Sequence, residues 1–258
     1  MSKISVVILT HNSGSVIGPL YQSLKEFDEV LAIDDNSCDQ TENICKRLGI
    51  RYFNHTLNGD FSAQRNFALT KCSYDWVFYI DSDETVNENF VDEIKRLAGN
   101  NNFAGYYVTR KVNFLNHVMI ATEMGNDKLV RVGLKNSGKW VRRVHEVWKI
   151  NGNLGEINTP LIHNTALTLH KFIEKLNCYF RLHAQENLNA GKSVSFSKIL
   201  FFSLGKFFKN YIFLRGYRDG THGFVASVLM SLHTFLSWSY AWLQGNIQKG
   251  NRGDKLSV

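Results

Sequence analysis

The chain has 258 residues, 44% of them hydrophobic and 21% charged, so it is long enough to bury a core and too apolar to stay disordered. Lys and Arg number 30 against 23 Asp and Glu, and the net charge of +7 favours anionic partners: nucleotide diphosphates, nucleic acid or an acidic membrane surface. Cys38, Cys45, Cys72 and Cys178 show no CxxC or zinc-ligand spacing, which predicts reduced thiols in a cytosolic compartment.

Met1-Ser2-Lys3 leads straight into the strand-like run Ile4 to Leu9, so no signal peptide is expected. The run closes in the turn Thr10-His11-Asn12-Ser13-Gly14, and Val16 to Phe27 then has helical periodicity. The step repeats: Glu29 to Ile33 is a strand, Asp34 to Asp39 a polar loop, and Gln40 to Leu48 a helix with Asp39 placed to cap it. A third short strand at Ile50 to Asn54 precedes a loop through Asn58-Gly59-Asp60 and a helix from about Ser62 to Thr70. Strands alternating with helices at this spacing predict a mostly parallel, doubly wound sheet whose strand carboxyl ends share one crevice.

The next strand organises the reading. Trp76-Val77-Phe78-Tyr79-Ile80 is apolar throughout, as a strand buried on both faces would be, and it ends in Asp81-Ser82-Asp83-Glu84. Carboxylates spaced i, i+2 in a turn at that position can both face one Mg²⁺ or Mn²⁺, whose remaining shell is filled by substrate phosphates and water. The same spacing is also ordinary turn chemistry. With both acid clusters in one crevice, Asp34-Asp35 could hold the base and ribose of a nucleotide while Asp81-Asp83 holds its metal-bound diphosphate. Arg65, with Gln64 and Asn66, could reach the same nucleotide or merely form a solvated helix face. Gly14 to Gly18 lacks the GxGxxG spacing, and Gly191-Lys192-Ser193 lacks the first glycine of a P-loop.

From Phe103 the pattern changes. Gly105 to Arg110 and Lys128 to Val132 alternate like strands with one solvated face, separated by a segment whose Glu123-Met124-Gly125 reads as loop. Trp140 to Trp148 is aromatic and charged, and Pro160 to His163 ends another short strand. A hydroxyl acting as nucleophile must lose a proton, and Glu146, His145 and Glu123 are the candidate bases; His163 could complete a metal shell. Lys171 to Gly191 is helical, Phe196 to Leu214 is dense in Phe with interleaved Lys, and Gly220 to Gln248 holds no Asp, Glu, Lys or Arg. That composition predicts a helical extension lying in an anionic membrane interface, with a membrane span or a buried core helix as the alternatives.

Taken together, Thr10-His11-Asn12, Ile33-Asp34-Asp35-Asn36-Ser37-Cys38-Asp39, Phe61 to Leu69 around Gln64-Arg65-Asn66, and Ile80-Asp81-Ser82-Asp83-Glu84 resemble a family 2 glycosyltransferase with the GT-A fold. Val144-His145-Glu146, Pro160 to His163 and Asp219-Gly220-Thr221-His222-Gly223-Phe224 resemble the subgroup containing the lipopolysaccharide-core β-1,4-glucosyltransferases, although Asp35-Asn36 stands where that subgroup often has Ser-Gly. The resemblance implies an α/β, Rossmann-like mixed sheet, mostly parallel, over residues 1–170. Within it, 1–102 would be the nucleotide-binding half and 103–170 the acceptor half, with 171–258 a C-terminal helical extension. It implies inverting transfer from a nucleotide sugar, usually a UDP-sugar, to a saccharide or lipid-linked acceptor in cell-envelope glycan synthesis. Thr10, Asn12, Asp34, Gln64, Arg65 and Asp81 would lie at the nucleotide, and Asp81, Asp83 and His163 at a divalent cation, Mg²⁺ or Mn²⁺. Glu146 would be the first candidate base, with His145 beside it and Glu123 second. The expected location is cytoplasmic and peripheral, on the inner face of the membrane. Two other readings are a non-catalytic membrane-surface binding protein and a sugar nucleotidyltransferase. No nucleic-acid module is present in the sequence, so no nucleic-acid partner is expected.

Overall fold

The computed structural model describes residues 2–100, 102–125, 127–143, 146–166 and 168–253. The elements in chain order begin with β1 (Ile4–Thr10), α1 (Ile17–Leu24), β2 (Glu29–Asp34), α2 (Thr41–Arg47), β3 (Arg51–Asn54), α3 (Phe61–Lys71) and β4 (Trp76–Asp81). Next come β5 (Glu84–Thr85), α4 (Glu88–Leu97), β6 (Gly105–Phe114), β7 (His117–Val118), β8 (Asp127–Leu134), β9 (Gly138–Val141), β10 (Val147–Ile150) and β11 (Leu154–Ala166). The helices α5 (Leu169–Asn189), α6 (Phe196–Phe208) and α7 (Gly220–Gly253) complete the chain. It forms two compact units, residues 1–111 with 127–164 and residues 112–126 with 165–258.

The main sheet has the order β3-β2-β1-β4-β8-β6-β11-β5, with β7 paired to the end of β6. Its first four strands are parallel, as the βα alternation predicts, and β8 then joins β4 antiparallel, making the sheet mixed. Because successive side chains of a strand face opposite sides, one apolar run feeds two cores. Ile4, Val6, Ile8, Phe78 and Ile80 pack with Leu20 and Leu24 of α1 and Phe90 and Ile94 of α4. Val7, Leu31, Ile33, Val77 and Tyr79 pack on the other side with Ala68, Cys72, Trp140 and Trp148. The helix α4 carries its own start signal, the Asn87 side chain accepting from Phe90 N at 3.0 Å, and Asp60 caps α3 by accepting from Ala63 N at 2.9 Å.

In the second unit α6 runs on through a π-helical turn (Lys209–Phe213) and a 3₁₀ turn (Gly216–Asp219) into α7. The segment read from sequence as a loop around Glu123 is tied down here. The buried Asp219 carboxylate accepts from Ile120 N and Ala121 N at 3.0 and 2.9 Å, and lies 3.0 Å from His117 Nε2. Buried Asn210 accepts from Glu123 N at 3.0 Å. A Cβ at Gly223 would sit 1.8 Å from Gly216 O, so only glycine lets α7 start this close to the preceding turn. Gly216–Asn246 is long and apolar enough to cross a membrane by length and composition. Even so, α6, α7 and the π-helical turn keep many large apolar side chains in solvent, Phe196, Phe201 and Phe213 among them.

Candidate active site

The register of the parallel strands sets the site. Thr10 pairs with Asp34 and Leu9 with Asp81, so the two acids end strands on either side of β1, about 10 Å apart at two strand spacings, on the same edge of the sheet. The first two loops are laced together there. Thr10 Oγ1 donates to Asp34 Oδ1 at 2.7 Å, Ser37 N to Asp34 Oδ2 at 2.7 Å, and Cys38 N to Asn12 Oδ1 at 3.0 Å. Asn12 itself is left-handed, at φ 49°, and its N–H bonds Ser37 Oγ. Asp34 is thus fully buried and spends both oxygens on holding the loop, while its neighbour Asp35 is partly exposed and accepts from Leu57 N. Asp39 ties the first loop to α2 by accepting from Gly14 N, Thr41 N and the Thr41 hydroxyl; the hydroxyl bond leads in holding its carboxyl below the ordinary range.

A network of charges occupies the end of β4. Arg65, on α3, is 3% exposed; its Nη2 lies 2.9 Å from Asp81 Oδ1 and its Nε 2.9 Å from Glu146 Oε1. Its guanidinium lies over Trp140, 4.7 Å from the ring centroid, and Tyr79 donates its hydroxyl to Arg65 O at 2.7 Å. Trp140 and Trp148 stack at 5.3 Å on the β9–β10 hairpin and meet Tyr79 edge-on, so an aromatic wall aims this arginine. Arg131, on β8, contributes Nη2 to Asp81 Oδ2 at 2.7 Å. Burial by itself would raise the Asp81 pKa, but Arg131 and then Arg65, through charge and hydrogen bonds, hold it well below the usual carboxylate range. The buried Glu84 closes the turn by accepting from Asp81 N at 2.9 Å, and lies 3.6 Å from Arg110 and 3.8 Å from Arg131.

Arg131 has no signal of its own in the sequence, where it is one charge in an alternating strand; only the β4–β8 pairing sets it on Asp81. Replacing it with Met leaves Asp81 and Glu84 short of a buried partner. The variant is expected to lose about 3 kcal/mol of unfolding free energy, read by urea denaturation.

Each predicted site residue can now be placed. Gln64 is buried and donates Nε2 to His55 O at 2.7 Å, and Asn66 pairs both ways with the backbone of Trp140, so these two brace α3. Glu146 meets Asp81 through Arg65. His145 lies outside the described residues. Glu123 belongs to the second unit, where Lys206 and Lys209 bind it at 2.6 and 2.8 Å; burial raises its pKa less than these two ammoniums lower it.

Among the described residues no group of three or more His, Cys, Asp or Glu side chains converges as a metal-binding set. Two donors do stand together: Asp83, 40% exposed, has Oδ2 3.4 Å from Nε2 of His163. Adjacent donors on an octahedral Mg²⁺ or Mn²⁺ are about 3 Å apart, and such ions take one or two protein ligands with the rest from phosphate and water. That pair therefore fits a cation bound together with a diphosphate. At Asp81 a cation would compete with two guanidiniums.

The family model described as "Glycosyl transferase family 2" matches residues 5–127. The chain is 26% identical over 247 residues to the lipopolysaccharide core biosynthesis glycosyltransferase LpsC of Rhizobium meliloti, covering 91% of this chain and 90% of that one. It is also 26% identical over 250 residues to an uncharacterized glycosyltransferase of Rickettsia felis, covering 92% and 88% of the two chains. Among solved structures, glucosyl-3-phosphoglycerate synthase of Mycobacterium tuberculosis aligns over 43% of this chain and 44% of that one, with 22% identity and a TM-score of 0.37. The acid-bearing loops at the ends of β1, β2 and β4 lie within the residues that the family model matches, and with the relatives aligned over nine-tenths of the chain they agree: this chain is a glycosyltransferase, similar over residues 5–127 to those of family 2.

Proposed function

We propose that the enzyme transfers a sugar from a nucleotide diphosphate donor, a UDP-sugar, to a saccharide or lipid-linked acceptor of the cell envelope, with inversion at the anomeric carbon. The observation that carries this reading is the meeting of the Asp34 loop and the Asp81–Asp83 turn on one sheet edge, with Arg65 joining that turn to Glu146. The relationship to the Rhizobium lipopolysaccharide-core enzyme over nine-tenths of both chains supports the cell-envelope assignment.

In this reading the loops of Thr10 to Asn12 and Asp34 to Cys38 receive the base and ribose, with Asp35 the accessible carboxylate. Asp83 and His163 would hold a divalent cation, which would supply charge neutralisation at the departing diphosphate. Five carboxylates (Asp81, Asp83, Glu84, Asp127 and Glu146) outnumber the guanidiniums of Arg65, Arg110 and Arg131 in this network, which favours a bound cation. Buried Nη1 of Arg65 has no partner among the described residues and offers a donor to phosphate oxygen. Glu146, held at Oε1 by Arg65, takes the acceptor proton at Oε2 on the face opposite the leaving group. The test is a thermal-shift and hydrolysis screen of nucleotide sugars with and without Mn²⁺. A Mn²⁺-dependent rise in melting temperature with UDP-sugars is expected; indifference to every nucleotide sugar would remove the reading.

The location is a cytoplasmic membrane face, with the second unit lying on the bilayer. Leu200, Leu204 and Phe208 recur every four residues on the exposed side of α6, and Phe224, Val228, Phe235 and Trp242 make an exposed stripe along α7. Solvent-facing apolar stripes of this extent are uncommon on soluble domains, and Lys198, Lys209, Arg215 and Arg218 suit an anionic surface. Phe213, 79% exposed, is worth about 2 kcal/mol if it enters the bilayer, so Phe213→Ser should weaken sedimentation with anionic vesicles by more than tenfold. A wild-type protein indifferent to vesicles removes this assignment.

A further inference from the structure

The second unit contains an open groove of about 380 Å³ lined by Phe201, Phe202, Gly205 and Lys206 with Lys209, Thr234 and Trp238, within the size range of small-ligand sites. Its walls are aromatic: Phe202 and Trp238 meet at 4.9 Å between ring centroids, yet Phe201 and Phe202 remain 68% and 46% exposed. Helix α6 has no side chain at Gly205, where an added Cβ would meet nothing within 4 Å. At this apolar trough two ammoniums are held side by side, Lys206 Nζ at 2.6 Å and Lys209 Nζ at 2.8 Å from the two oxygens of one carboxylate, Glu123. Each ammonium has three N–H donors and gives one to Glu123, leaving donors for a second anion. The only carboxylate within 196–219 is Asp219, buried and occupied by the 117–121 segment, and 220–246 carries no charged side chain.

We infer that this groove binds one lipid molecule, its hydrocarbon chain against Phe201, Phe202 and Trp238 and its phosphate head on Lys206 and Lys209. The site deepens the proposed membrane association and rests on it: a bilayer-facing unit draws a single anionic lipid out of the surface and holds it in a fixed orientation. A free phosphate would use the lysines and leave the trough empty; an uncharged chain would use the trough and leave the lysines to Glu123 alone.

The test is calorimetric titration of the full-length protein with monomeric decyl phosphate, decanol and inorganic phosphate, alongside vesicle sedimentation. Decyl phosphate should saturate one site at least tenfold more tightly than decanol, with no saturable binding of inorganic phosphate. Gly205→Trp fills the trough and should weaken decyl phosphate at least tenfold while vesicle binding through Phe213 persists. Lys209→Gln should weaken decyl phosphate and leave decanol unchanged. Equal binding of inorganic phosphate, equal binding of decanol, or an unaffected Gly205→Trp variant would each overturn the site. So would a concentration-dependent dimer abolished by Gly205→Trp, which would give the groove to a second copy of the chain. Wild-type protein that sediments with vesicles but takes no decyl phosphate removes the groove alone. Protein that takes decyl phosphate but ignores vesicles supports the groove and removes the membrane reading.

Discussion

Asp83→Ala is expected to bring sugar transfer down by about three orders of magnitude while leaving the melting temperature of the unliganded protein within a degree or two. The size follows from losing a cation ligand at the leaving diphosphate, an electrostatic contribution of several kcal/mol at about 1.4 kcal/mol per decade of rate. The small cost to folding follows from exposure: Asp83 is 40% exposed, whereas its neighbours Asp81 and Glu84 are clamped by arginines and the turn backbone. Two measurements check it, a single-turnover rate with Mn²⁺ and the shift in melting temperature that Mn²⁺ with UDP produces. Both should be lost together. Undiminished Mn²⁺-stimulated turnover in the variant would take the metal role away from Asp83.

Glu146→Gln should lower kcat by about 10²–10⁴, the usual worth of a positioned general base, with the donor's KM changed far less. The amide keeps a side-chain oxygen for Arg65 Nε, which lies 2.9 Å from Oε1 in the native protein, so the bridge from Asp81 to residue 146 survives and the proton acceptor alone is removed. Glu123→Gln separates the alternatives. Lys206 and Lys209 lower its basicity and occupy both of its oxygens, which opposes its accepting a proton from substrate, so its loss is expected to disturb the second unit more than the chemical step. A kcat collapse in Glu123→Gln, with Glu146→Gln near wild type, would exchange the two roles.

Much of the N-terminal half was legible because its signals are local. The run Trp76 to Ile80 is apolar at every position since both faces of β4 are covered, and the acids follow it because parallel strands deliver their loops to one edge. Asp60 and Asn87 cap the helices they precede, although the helix after Asn87, for all its amphipathic pattern, has no counterpart among the elements expected from the sequence. The second half was harder. Leu154–Ala166 is one long strand of which only the Pro160 to His163 end stood out, and the loop around Glu123 belongs with helices some 90 residues further on.

The sequence by itself determined the alternation of strands and helices, the two acidic turns and the likeness to family 2 glycosyltransferases, since each depends on side-chain periodicity or on short runs of neighbours. Tertiary structure alone decided how the charges are paired. Asp81 came out of the sequence as a metal ligand and is held by Arg65 and Arg131, and Asp34 came out as a nucleotide contact and is buried as the lock of its own loop. A buried carboxylate must find partners for its charge and lone pairs: Asp34 takes one from Ser37 three residues on and another from Thr10 on β1, whereas the arginines on Asp81 come from a helix and a strand 16 and 50 residues away, at distances no local pattern encodes.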